Sequence, residues 1–282
     1  MDTPHTKITS PVFHPAGRCI YCGTTDGTLS DEHIIAFALN GELVLPKSSC
    51  ASCAKITGAK IEQAVLKQTF PDLRSRYRLR SRRPKGRPTH FTFRIGNREL
   101  SLPIAELPYL SWAMPTFDFP GLSLNRLPSD PGKRSIQCQV GLADAERLLA
   151  KGSGTEAADM TLGKIDAAMF QRMIAKIAHS FACAHAPDGF TPILSDLIMK
   201  GSDNPSYLVG CDNPQPPADD TLWSLKFGTL QPQLGPIYYA VQIRLFGFPG
   251  TPSYVVMVGR PRGAPVEKVN YTKTIEIKIV DR

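Results

Sequence analysis

Apolar and polar positions divide the chain into short segments of different period. Residues 29–37 alternate weakly and residues 42–45 form a short apolar run, a pattern that predicts two strands joined by a turn at Asn40-Gly41. After Cys53, the spacing of Ile56, Ala59 or Lys60, Ile61, Ala64, Val65 and Gln68 predicts a helix ending near Pro71, with Gly58 a weak point inside it. A hairpin follows, residues 91–95 and 98–102, turned at Gly96-Asn97. The stretch 103–131 is rich in proline and aromatic residues, and 141–150 has helical character. The strongest helix covers 165–184, where Ile165, Met169, Met173, Ile177 and Phe181, joined by Phe170 and Ile174, recur at the period of a buried face. Arg172, Lys176 and His179 lie on its other face, where their alignment suggests either a phosphate site or, the favoured reading, a solvated face. Residues 238–246 and 253–258 are β-branched and aromatic, and 272–280 alternates, so strands dominate the C-terminal part.

These elements predict an α+β protein. A small strand-strand-helix unit at about 18–70 follows a loose leader at 1–17, and a linker or arm at 71–90 leads to a mixed α/β domain at 91–282. At 282 residues the chain can bury a substantial core, and two domains is the expected count. The N-terminus has no signal-like apolar run and no later stretch approaches the ~20 apolar residues of a membrane span, which predicts a cytoplasmic protein with no membrane partner.

Charge changes this picture at one place. The 33 Lys and Arg exceed the 25 Asp and Glu by eight, and eight basic residues lie between Arg74 and Arg87: Arg74, Arg76, Arg78, Arg80, Arg82, Arg83, Lys85 and Arg87. Outside this acid-free strip the two signs balance, 25 and 25. Such a concentration predicts a polyanion partner, DNA or another nucleic acid. Arginine suits bidentate phosphate binding, and Tyr77 could stack on a base. A solvated linker is the alternative.

The cysteines carry the clearest chemistry. Cys19-Ile20-Tyr21-Cys22 and Cys50-Ala51-Ser52-Cys53 each present two sulfurs to one point, and four thiolates make a closed tetrahedral Zn²⁺ site with no position left for substrate. Its role is to staple a unit too small to fold on its core alone. Cys138, Cys183 and Cys211 follow no spacing and read as buried reduced thiols. Between the cysteine pairs lies Ser30-Asp31-Glu32-His33-Ile34-Ile35, followed by Leu39-Asn40-Gly41.

In this combination, over about 19–62, the chain resembles the zinc-stapled branch of the HNH endonucleases, whose fold is a ββα unit around a catalytic metal. The resemblance implies hydrolysis of DNA phosphodiester bonds, with His33 as general base and Glu32 holding a hard catalytic ion, Mg²⁺ or Mn²⁺. Adjacent strand residues face opposite ways, so Glu32 and His33 can share a site only where the backbone bends. The chain departs from the family at Ala54, where a metal-binding Asn or His is usual, and at Ala36, where proline is common. The central asparagine is also absent, Asn40 reading as a turn residue; Glu62 is a candidate replacement ligand. A zinc-containing nucleic-acid-binding protein that does not cut, and a zinc unit that docks another protein, remain the competing readings.

Overall fold

A computed structural model describes residues 12–81, 89–95, 98–103, 112–139, 160–161, 165–186, 189–212, 217, 219, 221–247, 251–262 and 273–278. Strand β1 (Ser30–His33) pairs antiparallel with β2 (Val44–Ser49), and a helix follows at once. That helix begins as α1 (Ala51–Ala54), widens into a π-type segment (Lys55–Glu62) and resumes as α2 (Gln63–Gln68), with α3 (Pro71–Arg76) close behind. The order strand, strand, helix is the one expected, with β2 extending to the second cysteine pair. At the π-type segment's end the Gln63 amide donates to the Gly58 carbonyl, five residues back. The buried Thr57 hydroxyl bonds to the Cys53 and Ala54 carbonyls, a back-bond of the kind that distorts a helix.

The β1–β2 connection is a single 3₁₀ turn at Phe37–Leu39, closed by Asn40 in the left-handed conformation with φ 57°. Gly41 is required for a different reason. A Cβ there would sit 1.9 Å from the Ile35 carbonyl oxygen and 2.6 Å from its carbon, both backbone atoms that cannot swing aside. Gly41→Ala is therefore expected to lower stability by about 1–3 kcal/mol or more, read as a fall in the urea midpoint at constant slope; an unchanged midpoint would contradict this close crossing.

Among the described residues, the rest of the chain is mainly sheet, packed around one long helix. A six-stranded sheet has the order β13 (Lys273–Lys278), β10 (Thr221–Leu230), β11 (Tyr238–Leu245), β12 (Ser253–Pro261), β8 (Phe190–Pro192), with β9 (Val209–Cys211) also on β12. All of its pairings are antiparallel. Strands β3 (His90–Ile95) and β4 (Arg98–Pro103) form the expected hairpin, joined by β7 (Met160–Thr161), while β5 (Trp112–Phe117) pairs with β6 (Arg134–Gln139). The hairpin turn at Gly96-Asn97 and the helix expected at 141–150 lie outside the described residues.

The predicted strong helix is α4 (Ala167–His185), capped by the Asp166 carboxylate accepting from the Met169 amide. It runs through the interior. One side packs on β11 and β12, and another on the π-type segment, α2 and α5 (Ser195–Lys200). From Phe170 to Ala182 only Arg172 escapes full burial, and its guanidinium donates to the Ile198 carbonyl at the end of α5. The solvated face expected at Arg172, Lys176 and His179 is thus internal at Lys176 and His179, because the cysteine-bearing unit covers them, while Arg172 is half-buried against α5. One continuous apolar core includes Ile34, Ile35, Ile61 and Phe70 from the N-terminal unit, Phe170 and Phe181 from α4, and Trp223, Ile243 and Tyr254 from the sheet.

Candidate functional site

The four sulfurs of Cys19, Cys22, Cys50 and Cys53 lie within 4.8 Å of one another. Thiolates about 2.3 Å from a tetrahedral ion stand about 3.8 Å apart, and Cys22 Sγ to Cys50 Sγ is 3.8 Å. The cluster is close enough to hold a metal ion and is consistent with structural zinc. Local backbone explains the convergence. The first pair sits on a tight turn in which the Gly23 amide donates to the Cys19 carbonyl and Gly23 takes φ 79°. The second pair opens a helix, with Cys50 as its N-cap. There the Ser52 hydroxyl, then the Cys53 amide, lowers the pKa of the Cys50 thiol, whereas burial raises that of Cys53 in the same cluster. Outside the cluster, Cys211 is buried and Cys183 is half-buried against the core, and burial pushes both thiols up to about 12. The Cys138 side chain lies outside the described residues.

Helix α4 grips this unit from behind. His179 Nε2 lies 2.7 Å from the carbonyl of Ile20, inside the first cysteine pair. A carbonyl only accepts, so Nε2 carries the proton. The His179 ring stacks on Tyr21, with centroids 5.5 Å apart. Burial holds His179 below the usual imidazole range, so the ring is neutral.

One turn earlier, Lys176 is fully buried. Its ammonium lies 2.6 Å from Glu32 Oε1 and 2.7 Å from Glu62 Oε1, and it donates to the His33 carbonyl. Those three acceptors match its three N–H donors, and the Ile34 carbonyl stands 3.4 Å away. Burial alone would pull the ammonium's pKa down, but Glu32 and Glu62 outweigh it and raise it above the usual lysine value.

The two residues expected to share a catalytic centre therefore have different partners. Glu32 is buried against Lys176, whereas His33 is half-buried with its ring 6.0 Å edge-on from Phe37. The β1 irregularity falls between Ser30 and Glu32, ahead of the pair. Glu62, the candidate replacement ligand, reaches the same ammonium as Glu32.

The basic strip begins against the same unit. Helix α3 (Pro71–Arg76) seats Leu73 in the core, and Leu79 is buried just beyond it. Arg74 Nε donates to the Ala38 carbonyl at 3.2 Å. The Arg80 amide donates to Asn40 Oδ1 at 2.7 Å, and its guanidinium bonds Glu42 at 2.6 Å while lying 5.6 Å above the Phe37 ring. Arg80 and His33 thus both border Phe37. Arg78 is exposed, whereas Tyr77 packs on the core instead of standing free for a base. The side chain of Arg76 and all of Arg82, Arg83, Lys85 and Arg87 lie outside the described residues.

No protein-family profile, curated protein or solved structure matches this chain. No helix among the described residues is long and apolar enough to cross a membrane.

Lys176 and His179 are the site residues missed from sequence, as were the contacts that Asn40 and Glu42 make with Arg80. Asn40 does serve as the turn residue expected of it, and its amide oxygen additionally anchors the strip.

Proposed function

We propose that this chain is a nucleic-acid-binding protein built on an HNH-like zinc unit, with the backbone of DNA or RNA held along the Arg78–Arg80 side of that unit. The observation that carries this reading is the anchoring of the basic strip. Leu73 and Leu79 are buried, and Arg80 is tied to Asn40 and Glu42, so the described part of the strip, up to residue 81, is docked on the unit with the Arg80 guanidinium over Phe37. Metal-dependent cutting has less support, since Glu32 and Glu62 both serve an ammonium and Ala54 offers no ligand atom. A nuclease reading with His33 as base keeps one specific support, the half-buried His33 ring, which has Phe37 as a neighbour in common with Arg80.

One titration separates these readings. The zinc-loaded full chain is expected to bind a fluorescent DNA duplex or single strand with affinity that falls steeply with salt, and Arg78→Ala/Arg80→Ala should reduce the log–log salt slope by about two for a duplex. Absence of binding at low salt would overturn the proposal in favour of a protein-docking unit. Plasmid incubated with Mg²⁺ or Mn²⁺ is expected to stay intact. Nicking that disappears in His33→Ala, with binding retained, would establish the nuclease reading instead.

A further inference from the structure

We propose that Glu32, Glu62 and the carbonyl oxygens of His33 and Ile34 form a cation site of the zinc-type unit, and that its resident cation is the ammonium of Lys176, delivered by α4. Two carboxylates and two carbonyls are hard oxygen donors, the set that Mg²⁺, Mn²⁺ or Ca²⁺ takes. Here all four surround one nitrogen within 3.4 Å. The donors come from the end of β1, the residue beyond it and the end of the π-type segment, so the unit supplies every oxygen and the distant helix supplies only the charge. An ammonium on a fixed helix cannot dissociate into solvent as an ion can. The site is therefore permanently filled, and the unit needs no divalent cation to keep Glu32 and Glu62 together or the carbonyl end of β1 in place.

The consequence is a latent divalent site that appears when the ammonium is removed. It is independent of whether nucleic acid binds, so it can fail while the proposed function stands, and the reverse. Zinc-loaded full-length protein is titrated with Mn²⁺ and free Mn²⁺ is followed by its electron paramagnetic resonance signal. The wild type is expected to sequester none at this site. Lys176→Ala should take up one equivalent, raising its melting temperature, and Lys176→Ala/Glu32→Gln should lose that uptake. A folded Lys176→Ala that takes up no Mn²⁺ would overturn the proposal, as would a wild type whose Mn²⁺ uptake is abolished by Glu32→Gln. Should Lys176→Ala fail to fold with or without Mn²⁺, reductive methylation of the wild type decides. Lys176 should stay unmodified while Lys200, whose side chain is 75% exposed, reacts, and equal reactivity would exclude a caged ammonium.

Discussion

Cys53→Ser is expected to abolish stoichiometric metal binding and to unfold the N-terminal unit. Cys53 and Cys19 are buried in the common core, at 5% and 1% exposure, so their sulfurs cannot turn to solvent if the ion is lost. Losing one ligand leaves three crowded thiol groups and an exchangeable ion. Structural zinc in isolated finger peptides is worth about 10–16 kcal/mol, because site and fold form together. In this chain α4 also holds the unit, through the His179 bond to Ile20 and the Lys176 bonds to Glu32 and Glu62. Part of that energy is therefore independent of metal. A fall in the melting temperature of that unit of about 10 °C or more is expected, since small units move roughly 4–8 °C per kcal/mol. New tryptic cleavage at Lys47 and Lys55 should accompany it, while the six-stranded sheet stays protected. Cys183→Ser provides the contrast, because that thiol lies outside the cluster. It should retain one zinc per chain. Equal metal content and melting temperature for Cys53→Ser and wild type would remove the structural-zinc reading.

The zinc-type unit is legible in sequence because its signals are local. A two-residue spacer brings two sulfurs together whatever surrounds them, and alternation followed by helical period places β1, β2 and the helix in order. Even the exceptions are short-range, since the Thr57 back-bonds and the π-type segment lie within a few residues of one another. Lys176 is a different case. It meets Glu62 across 114 positions and Glu32 across more, and nothing local indicates which carboxylate faces which cation. Helical spacing correctly groups Arg172, Lys176 and His179, but whether that face meets water or protein depends on the tertiary partner. A clue is visible in the composition of α4, in which alanines at 167, 168, 175, 178 and 182 separate the large apolar residues. So little polar surface is characteristic of a helix enclosed on all sides, where a lone lysine must find a carboxylate. The strip at 74–87 shows the same division. Its charge is evident from composition, whereas the docking of Leu73 and Leu79 that brings Arg80 beside Phe37 depends on core contacts.

Lys176→Met is expected to cost about 3–5 kcal/mol, the scale of a buried ion pair broken from one side. Methionine keeps most of the apolar stem, so the loss reports the charge rather than a cavity. What remains is two carboxylates facing each other and the His33 carbonyl with no cation between them; Glu32 has 8% of its side chain exposed and Glu62 17%, so Glu62 can turn outward more readily. The single variants should therefore be unequal, with Glu32→Gln more damaging than Glu62→Gln. Adding both to Lys176→Met should recover much of the stability, because a neutral set replaces an unbalanced one. The pH dependence has a definite sign. Since the Lys176 pKa lies above its unfolded value, its stabilisation is fully present below the unfolded pKa of about 10.4 and is lost only as pH rises through the folded value. The wild-type advantage over Lys176→Met should therefore hold steady between about pH 7 and 9 in denaturant titrations. A gap that closes by pH 9, or a triple variant no more stable than Lys176→Met, would show that the ammonium is not what joins α4 to the cysteine-bearing unit.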